Sequence, residues 1–323
     1  MTAPDRSSST RWKLWLARLP LVAMAVVVVV LMAGTERFLT GRTLASILTL
    51  ASVVGVLAVG QAFVLIGGGF DLSQGAIVGL TAAVTAWLVR AGVGPVPAVM
   101  AALAAGTILG AINGLFVAGV GTNPFVTTLS TMLIYRGATF VVLRGRVIGG
   151  VAAFSALDKT LPLDQAPLGV RAFVFLGVSG LAWLVLRQTV FGQHVYAVGG
   201  NAEAARLAGV RTGRVRVATF ATAGLAAGLA AVLLLSWLRV AKPDTGAGYE
   251  LSSIAACVVG GISLQGGAGS VLGAAAGRLL LETLDTLLTM RSDFPDEYRT
   301  LVTGAVILIF AAADAMARRA ERR

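Results

Sequence analysis

The chain has 323 residues, 57% of them hydrophobic and 13% charged, and its mean hydropathy of +0.85 is far from that of a soluble domain. A formal net charge of +11 would suit nucleic acid only if the cations clustered on a solvated face. Long apolar runs separate them instead, so basic loops on a membrane protein account for the charge, and nucleic acid is excluded as a partner.

A helix needs roughly 20 apolar residues to cross the hydrocarbon, and lipid leaves no backbone polar group unpaired. Apolar segments at 19–34, 44–66, 72–89, 96–120, 124–143, 170–186, 217–238, 251–262, 271–288 and 301–313 therefore predict an all-α polytopic membrane protein with about ten transmembrane helices, some of them discontinuous. Residues 1–18 read as an N-terminal tail, 19–317 as a single transmembrane domain and 318–323 as a basic tail. The first segment, preceded by Arg11, Lys13 and Arg18, also fits a signal peptide, but is read as a span. Both ends are basic, with Arg6, Arg11, Lys13 and Arg18 at one and Arg318, Arg319, Arg322 and Arg323 at the other. The positive-inside rule places both termini in the cytoplasm. The same orientation puts the loop 187–216 inside, where Arg187, Arg206, Arg211, Arg214 and Arg216 face one acid, Glu203. The opposite side mixes acids and bases around Glu36, Asp158, Asp164, Asp244, Asp293, Asp296 and Glu297, as a docking surface would.

In chain order, the first interruption is Gly67-Gly68-Gly69-Phe70-Asp71-Leu72-Ser73-Gln74-Gly75. It reads either as a discontinuous helix lining a protected cavity or as a tight turn. Asp71 is the telling residue, since a carboxylate beside lipid is costly; it also suits the cap of the following helix. Asn113 and the run Asn123-Pro124-Phe125-Val126-Thr127-Thr128-Leu129-Ser130-Thr131 follow. Thr127, Thr128 and Thr131 make a polar stripe for a path or for packing between helices. Arg136 needs a counter-charge, for which Glu282 and Asp285 are candidates.

Within 187–216, Gly200-Asn201-Ala202-Glu203-Ala204-Ala205-Arg206-Leu207-Ala208-Gly209 predicts a two-turn helix with Asn201 as N-cap and Gly209 as stop. Ala204, Ala205 and Ala208 give it a small-residue surface suited to a groove on another protein, or to lying on lipid. A second interruption, Gly260-Gly261-Ile262-Ser263-Leu264-Gln265-Gly266-Gly267-Ala268-Gly269, follows an unusually short apolar run. The single cysteine, Cys257, reads as a small buried hydrophobe and rules out an intrachain disulfide. The single histidine, His194, is read as structural or as a surface residue. No catalytic constellation, metal cluster or GxxxxGK[ST] loop is present, so the energy for transport must come from a gradient or from a partner.

At these residues the sequence resembles the permease subunits of ribose-type ATP-binding-cassette sugar importers. Gly68-Gly69-Phe70-Asp71-Leu72-Ser73-Gln74-Gly75 follows the family's Gly-Gly-Ile-Asp-Leu-Ser-x-Gly, with Phe70 in place of an aliphatic residue. Pro124–Met132 with Arg136-Gly137, the loop Gly192–Gly209 with Gln193 for a common Arg, and Gly248-Tyr249-Glu250-Leu251 through Gly266-Gly267 follow three further motifs in order. Asp285 and Asp293 depart from the family's usual residues. The resemblance implies the importer permease fold and pairing with a second permease copy, identical or paralogous. It also implies a cytoplasmic ATPase that hydrolyses ATP, no cofactor on this chain, an extracytoplasmic solute-binding protein, and residence in the bacterial cytoplasmic membrane. It assigns Gly200, Asn201, Glu203, Ala204, Ala205, Arg206 and Gly209 to ATPase coupling. The path candidates, taken from the two glycine-rich interruptions and the polar stripe, are Phe70, Asp71, Ser73, Gln74, Asn113, Asn123, Phe125, Thr127, Thr128, Thr131, Gly260, Gly261, Gly266 and Gly267. The expected solute is a ribose-like monosaccharide, with nucleosides, polyols and sugar-derived signals also open. The alternative is a gradient-driven carrier or channel.

Overall fold

The computed structural model describes residues 38–161 and 167–290, with isolated positions at 29 and between 301 and 312. The spans expected at 19–34 and 301–313, and both terminal tails, thus fall essentially outside the described residues. In order, the helices are α1 (Gly41–Ile66), α2 (Gln74–Arg90), α3 (Pro95–Leu115), α4 (Pro124–Leu143), α5 (Val170–Gln188), α6 (Val190–Gly200), α7 (Ala202–Leu207), α8 (Thr212–Leu238), α9 (Tyr249–Val259) and α10 (Val271–Met290). A π-helical turn, Phe116–Val120, extends α3. The sole sheet among the described residues is a two-residue antiparallel pair, β1 (Thr160–Leu161) with β2 (Leu168–Gly169).

Among the described residues, α1, α3 with its π turn, α4, α5 and α8 are long and apolar enough to cross a membrane, while α2 and α9 are shorter apolar helices. α10 is long enough but carries Arg278, Glu282 and Asp285. The architecture is that of an all-α membrane protein, although these residues alone do not carry the expected count of ten spans.

Local chemistry sets the ends. Thr40 caps α1 by accepting from the Thr43 amide at 3.2 Å. Asn123 caps α4 by accepting from the Phe125 amide at 2.9 Å, and Pro124 fills the first helical position, where no amide is needed. α1 is apolar all round and buried along most of its length, the mark of a central helix. α3 and α8 pack backbone to backbone. A Cβ on Gly106 would overlap the Gly224 carbonyl oxygen, and one on Gly224 would overlap that of Gly106. Glycines every fourth residue, Gly106 and Gly110 facing Gly224 and Gly228 and Gly114 facing Val217 and Phe220, allow this approach in lipid, where packing rather than water exclusion holds helices together.

Two helices open inside the bundle rather than at its end. The Gln74 amide, at the start of α2, donates to the Leu57 carbonyl at 3.5 Å. Leu57 lies nine residues short of Ile66, about 13 Å back along α1 at 1.5 Å per residue. α9 begins against Gly75, the second residue of α2. Its 11 residues give roughly 16 Å, half of a ~30 Å hydrocarbon core. The irregular chain leading into it carries left-handed Gly246 and Gly248 and a buried Thr245. Irregular backbone at this depth is tolerated because protein surrounds it.

At the end of the bundle opposite α7, Asp158 pairs with Arg171 at 3.1 Å and Arg239 at 3.7 Å. Arg171 also stacks over Trp237, and Ile148 bridges to Ala241. These contacts tie the 144–169 connection to α5 and α8.

Candidate functional site

The first interruption forms the centre of a buried polar cluster. Asp71 is buried, and its Oδ1 accepts from the Ser73 amide at 2.8 Å and the Ser73 hydroxyl at 2.6 Å. This Asx turn prepares the start of α2 and places a negative charge at the positive end of the helix dipole. The Asn113 amide of α3 donates to Ser73 Oγ at 2.7 Å. Tyr135 of α4 donates to the Leu109 carbonyl at 3.0 Å. The Ser253 hydroxyl of α9 donates to Gln74 Oε1 at 3.0 Å. Residues far apart in sequence thus share one polar patch among α1, α2, α3, α4 and α9, and buried polar groups satisfied this way fix the geometry of what surrounds them. Asp71 Oδ2 and Glu250 Oε2 are the carboxylate oxygens left without a hydrogen-bond partner among the buried described groups.

Gly75 and Glu250 explain each other. A Cβ at Gly75 would overlap Glu250 Oε2 and the Gly246 carbonyl oxygen, so the glycine that closes the first motif makes room for the acid that opens the fourth. Glu250 Oε1 accepts from the Gly248 amide at 3.2 Å, in the first turn of α9.

The threonine stripe faces inward. Thr127, Thr128 and Thr131 are buried, and each hydroxyl donates to a carbonyl of its own helix or its cap. Thr128 also reaches the Phe70 carbonyl at 3.3 Å, and the Phe70 and Phe125 rings lie 6.1 Å apart. Arg136 does not pair with Glu282 or Asp285. It donates to the Thr245 carbonyl at 2.8 Å, while Glu282 pairs with Arg278 one turn away. Spacing along a helix selected Arg278, which sequence distance alone did not single out.

The second interruption does not line the same patch. Gly260 packs against Gly273 and Ala274 of α10, Gly261 takes a left-handed φ of 81° in open space, and Gly266 and Gly267 pack against Gly68, Gly199 and Gly200.

The 187–216 segment is mostly helix rather than loop. α6 occupies Val190–Gly200 and α7 Ala202–Leu207. His194 sits half-buried on α6. The α7 signals hold: Asn201 Oδ1 accepts from the Ala204 amide at 2.9 Å, and Gly209 takes a left-handed φ of 87° after the last turn. Glu203 and Arg206 form a two-point pair at 2.6 and 3.2 Å. The hydrogen bond and charge of Arg206 hold the Glu203 carboxyl below the usual carboxylate range. Ala205, expected on the exposed small-residue surface, is instead 5% exposed and turned into the protein. The free face is formed by Glu203, Ala204, Leu207 and Ala208, with Leu207 at 77% exposure. Leu207 is the large apolar side chain that this face presents, and alanine counting overlooked it.

Two hollows flank the cluster. An inner cavity of about 400 Å³ is walled by Gly67, Gly68, Gly69, Asn123, Arg216 and Thr219, among others. At the far end of α2 and α4, an open cleft of about 800 Å³ holds Trp87, Arg90, Arg144 and Arg146.

Residues 43–311 match the family described as the branched-chain amino acid transport system / permease component. The ribose import permease protein RbsC of Escherichia coli (strain K12) is 36% identical over 306 residues, 94% of this chain and 95% of that protein. The autoinducer 2 import system permease protein LsrC of Enterobacter sp. (strain 638) is 36% identical over 295 residues, 91% of this chain and 85% of that protein. The xylose transport system permease protein XylH of Escherichia coli (strain K12) is 32% identical over 346 aligned positions, 87% of each.

Proposed function

We propose, from the premise that this chain belongs to the branched-chain amino acid transport system / permease component family, that it is the membrane subunit of an ATP-binding-cassette importer for a ribose-like monosaccharide. It is a transport subunit and not itself an ATPase. The sugar comes from the relatives: three similar permeases, each matched over most of its length, are named for ribose, autoinducer 2 and xylose. None of the three is named for an amino acid.

The observation that carries the reading is the buried cluster of Asp71, Ser73, Gln74, Asn113 and Ser253 where α2 and α9 open inside the bundle. Hydroxyl and amide groups ordered there, and rings at Phe70 and Phe125, suit a neutral polyhydroxylated solute better than an anionic one. In this reading about ten helices cross the cytoplasmic membrane with both ends inside, and a second permease copy completes the path. The chain binds no cofactor; a cytoplasmic ATPase docks on the free face of α7 and hydrolyses the ATP. The binding protein docks on the arginine-lined cleft, where acidic groups would find complementary charge.

A gradient-driven carrier would need its coupling cation at Asp71 Oδ2 or Glu250 Oε2, the oxygens left unpartnered. The solute class is tested by uptake into proteoliposomes holding permease, ATPase and binding protein, with labelled D-ribose, D-xylose and L-leucine as probes. ATP-driven entry of a pentose is expected. Entry of leucine with no pentose uptake would overturn the sugar assignment.

A further inference from the structure

Three stretches of backbone meet with no side chain between them: the end of α1, the end of α6, and the connection from α9 to α10. The Gly267 amide donates to the Ile66 carbonyl at 2.8 Å. A Cβ on Gly199 would overlap that same carbonyl and lie 2.6 Å from the Gly267 nitrogen. One on Gly266 would lie 2.7 Å from Gly68 Cα and 2.8 Å from the Gly199 oxygen, and one on Gly267 2.6 Å from Gly200 Cα. Gly68, Gly266 and Gly267 hold left-handed φ values of 75°, 89° and 73°, which other residues rarely adopt. The Tyr196 hydroxyl, one α6 turn before Gly200, donates to the Gly269 carbonyl at 2.8 Å.

What lies on either side gives the contact its consequence. Asn201, the cap of α7, directly follows Gly200. Gly67 and Gly68 wall the inner cavity, and the same strand of chain runs on to Asp71 and Ser73. Close-packed backbone has no rotamers to absorb a push, so a displacement at one side is passed to the other.

We propose that this three-way glycine contact is the joint through which α7 moves the wall of the inner cavity, with Gly199 and Gly267 as its contact points and Tyr196 as the positioning residue. The proposal rests on the importer reading and adds to it the residues that join ATP hydrolysis to solute release. ATP binding closes the ATPase, α7 shifts, and the Gly67–Gly69 wall, carried on Ile66, moves with Gly199, so that the inner cavity changes with the nucleotide state. The differential contact that a population shift requires then resides at α7.

The test is the number of solute molecules imported per ATP hydrolysed in proteoliposomes of permease, ATPase and binding protein, with D-ribose and D-xylose as probes. Tyr196→Phe and Gly199→Ala are expected to keep hydrolysis while lowering that ratio by about 2- to 30-fold, the range of coupling changes seen along such contacts. A Gly180→Ala control, where a Cβ meets nothing within 4 Å, keeps the wild-type ratio. A role in folding alone would lower the amount of assembled complex and leave the ratio unchanged. Should Gly199→Ala fail to assemble, Tyr196→Phe and Gly267→Ala decide. A wild-type ratio in every assembled variant overturns the joint. A wild-type complex that moves neither probe with ATP overturns the importer reading first, and the joint with it.

Discussion

At Gly75, a single hydrogen in place of a side chain lets the first and fourth motifs touch through Glu250 and Gly246. Gly75→Ala forces an overlap in a filled interior and is expected to cost about 1–3 kcal/mol, read as a lower unfolding temperature of the purified permease. Adding Glu250→Ala should recover part of the loss, because the Gly246 carbonyl remains in the way; strict additivity of the two changes would contradict the contact. Asp71→Ala removes the acceptor of both Ser73 bonds, with an expected cost of about 1–3 kcal/mol. Asp71→Asn, which keeps an accepting oxygen, should cost less; equal losses would remove the turn's role. Asp71 was legible as an acid too expensive to waste in a membrane. The partner of Arg136 was not, because a carbonyl in the irregular chain before α9 leaves no mark in side-chain spacing.

The capped helix α7 is the element whose sequence signals read most directly, since Asn201, Glu203 and Gly209 act within a few residues of one another. Which face it shows depends on α6 and α8, and there spacing misled: Ala205 is packed inside while Leu207 is bare. Ala205→Trp therefore disturbs packing and says nothing about docking. Ala204→Trp and Leu207→Asp act on the free face and are expected to weaken copurification of the ATPase at least tenfold, an anchor-sized effect, with the permease still folded. Undiminished copurification would remove α7 from the docking surface. The Glu203–Arg206 pair also makes the stability of α7 depend on pH. With the Glu203 pKa lowered in the folded state, its contribution is complete above the unfolded value and is lost as pH falls through the folded one. ATPase association should thus be flat around neutral pH and respond to Glu203→Gln only weakly, whereas Glu203→Arg reverses the charge and should weaken it.

The half-length of α9 was legible from its short apolar run, but the break was expected after it. The residues around Asp244 were expected in a connection on the side opposite the 187–216 loop. Their descent into the bundle is set by Thr245 and Gly246 packing on α2, Arg136 and Gly75, contacts between distant segments.

For the whole molecule, hydropathy placed each described span within a few residues because lipid imposes one length and one backbone solution. The joining of Gly68, Gly199 and Gly267 was not visible, since glycine-rich turns look alike until the chain is folded. The described residues hold a buried polar cluster where α2 and α9 open inside the bundle, an arginine-lined cleft at one end and an exposed capped helix at the other. The most direct measurement is uptake of labelled D-ribose and D-xylose by proteoliposomes carrying the permease with its binding protein, with and without the ATPase, energised either by ATP on the ATPase side or by an imposed proton or sodium gradient. The importer account predicts uptake only when ATPase and ATP are both present, with no response to either gradient; gradient-driven uptake by the permease without the ATPase would contradict it.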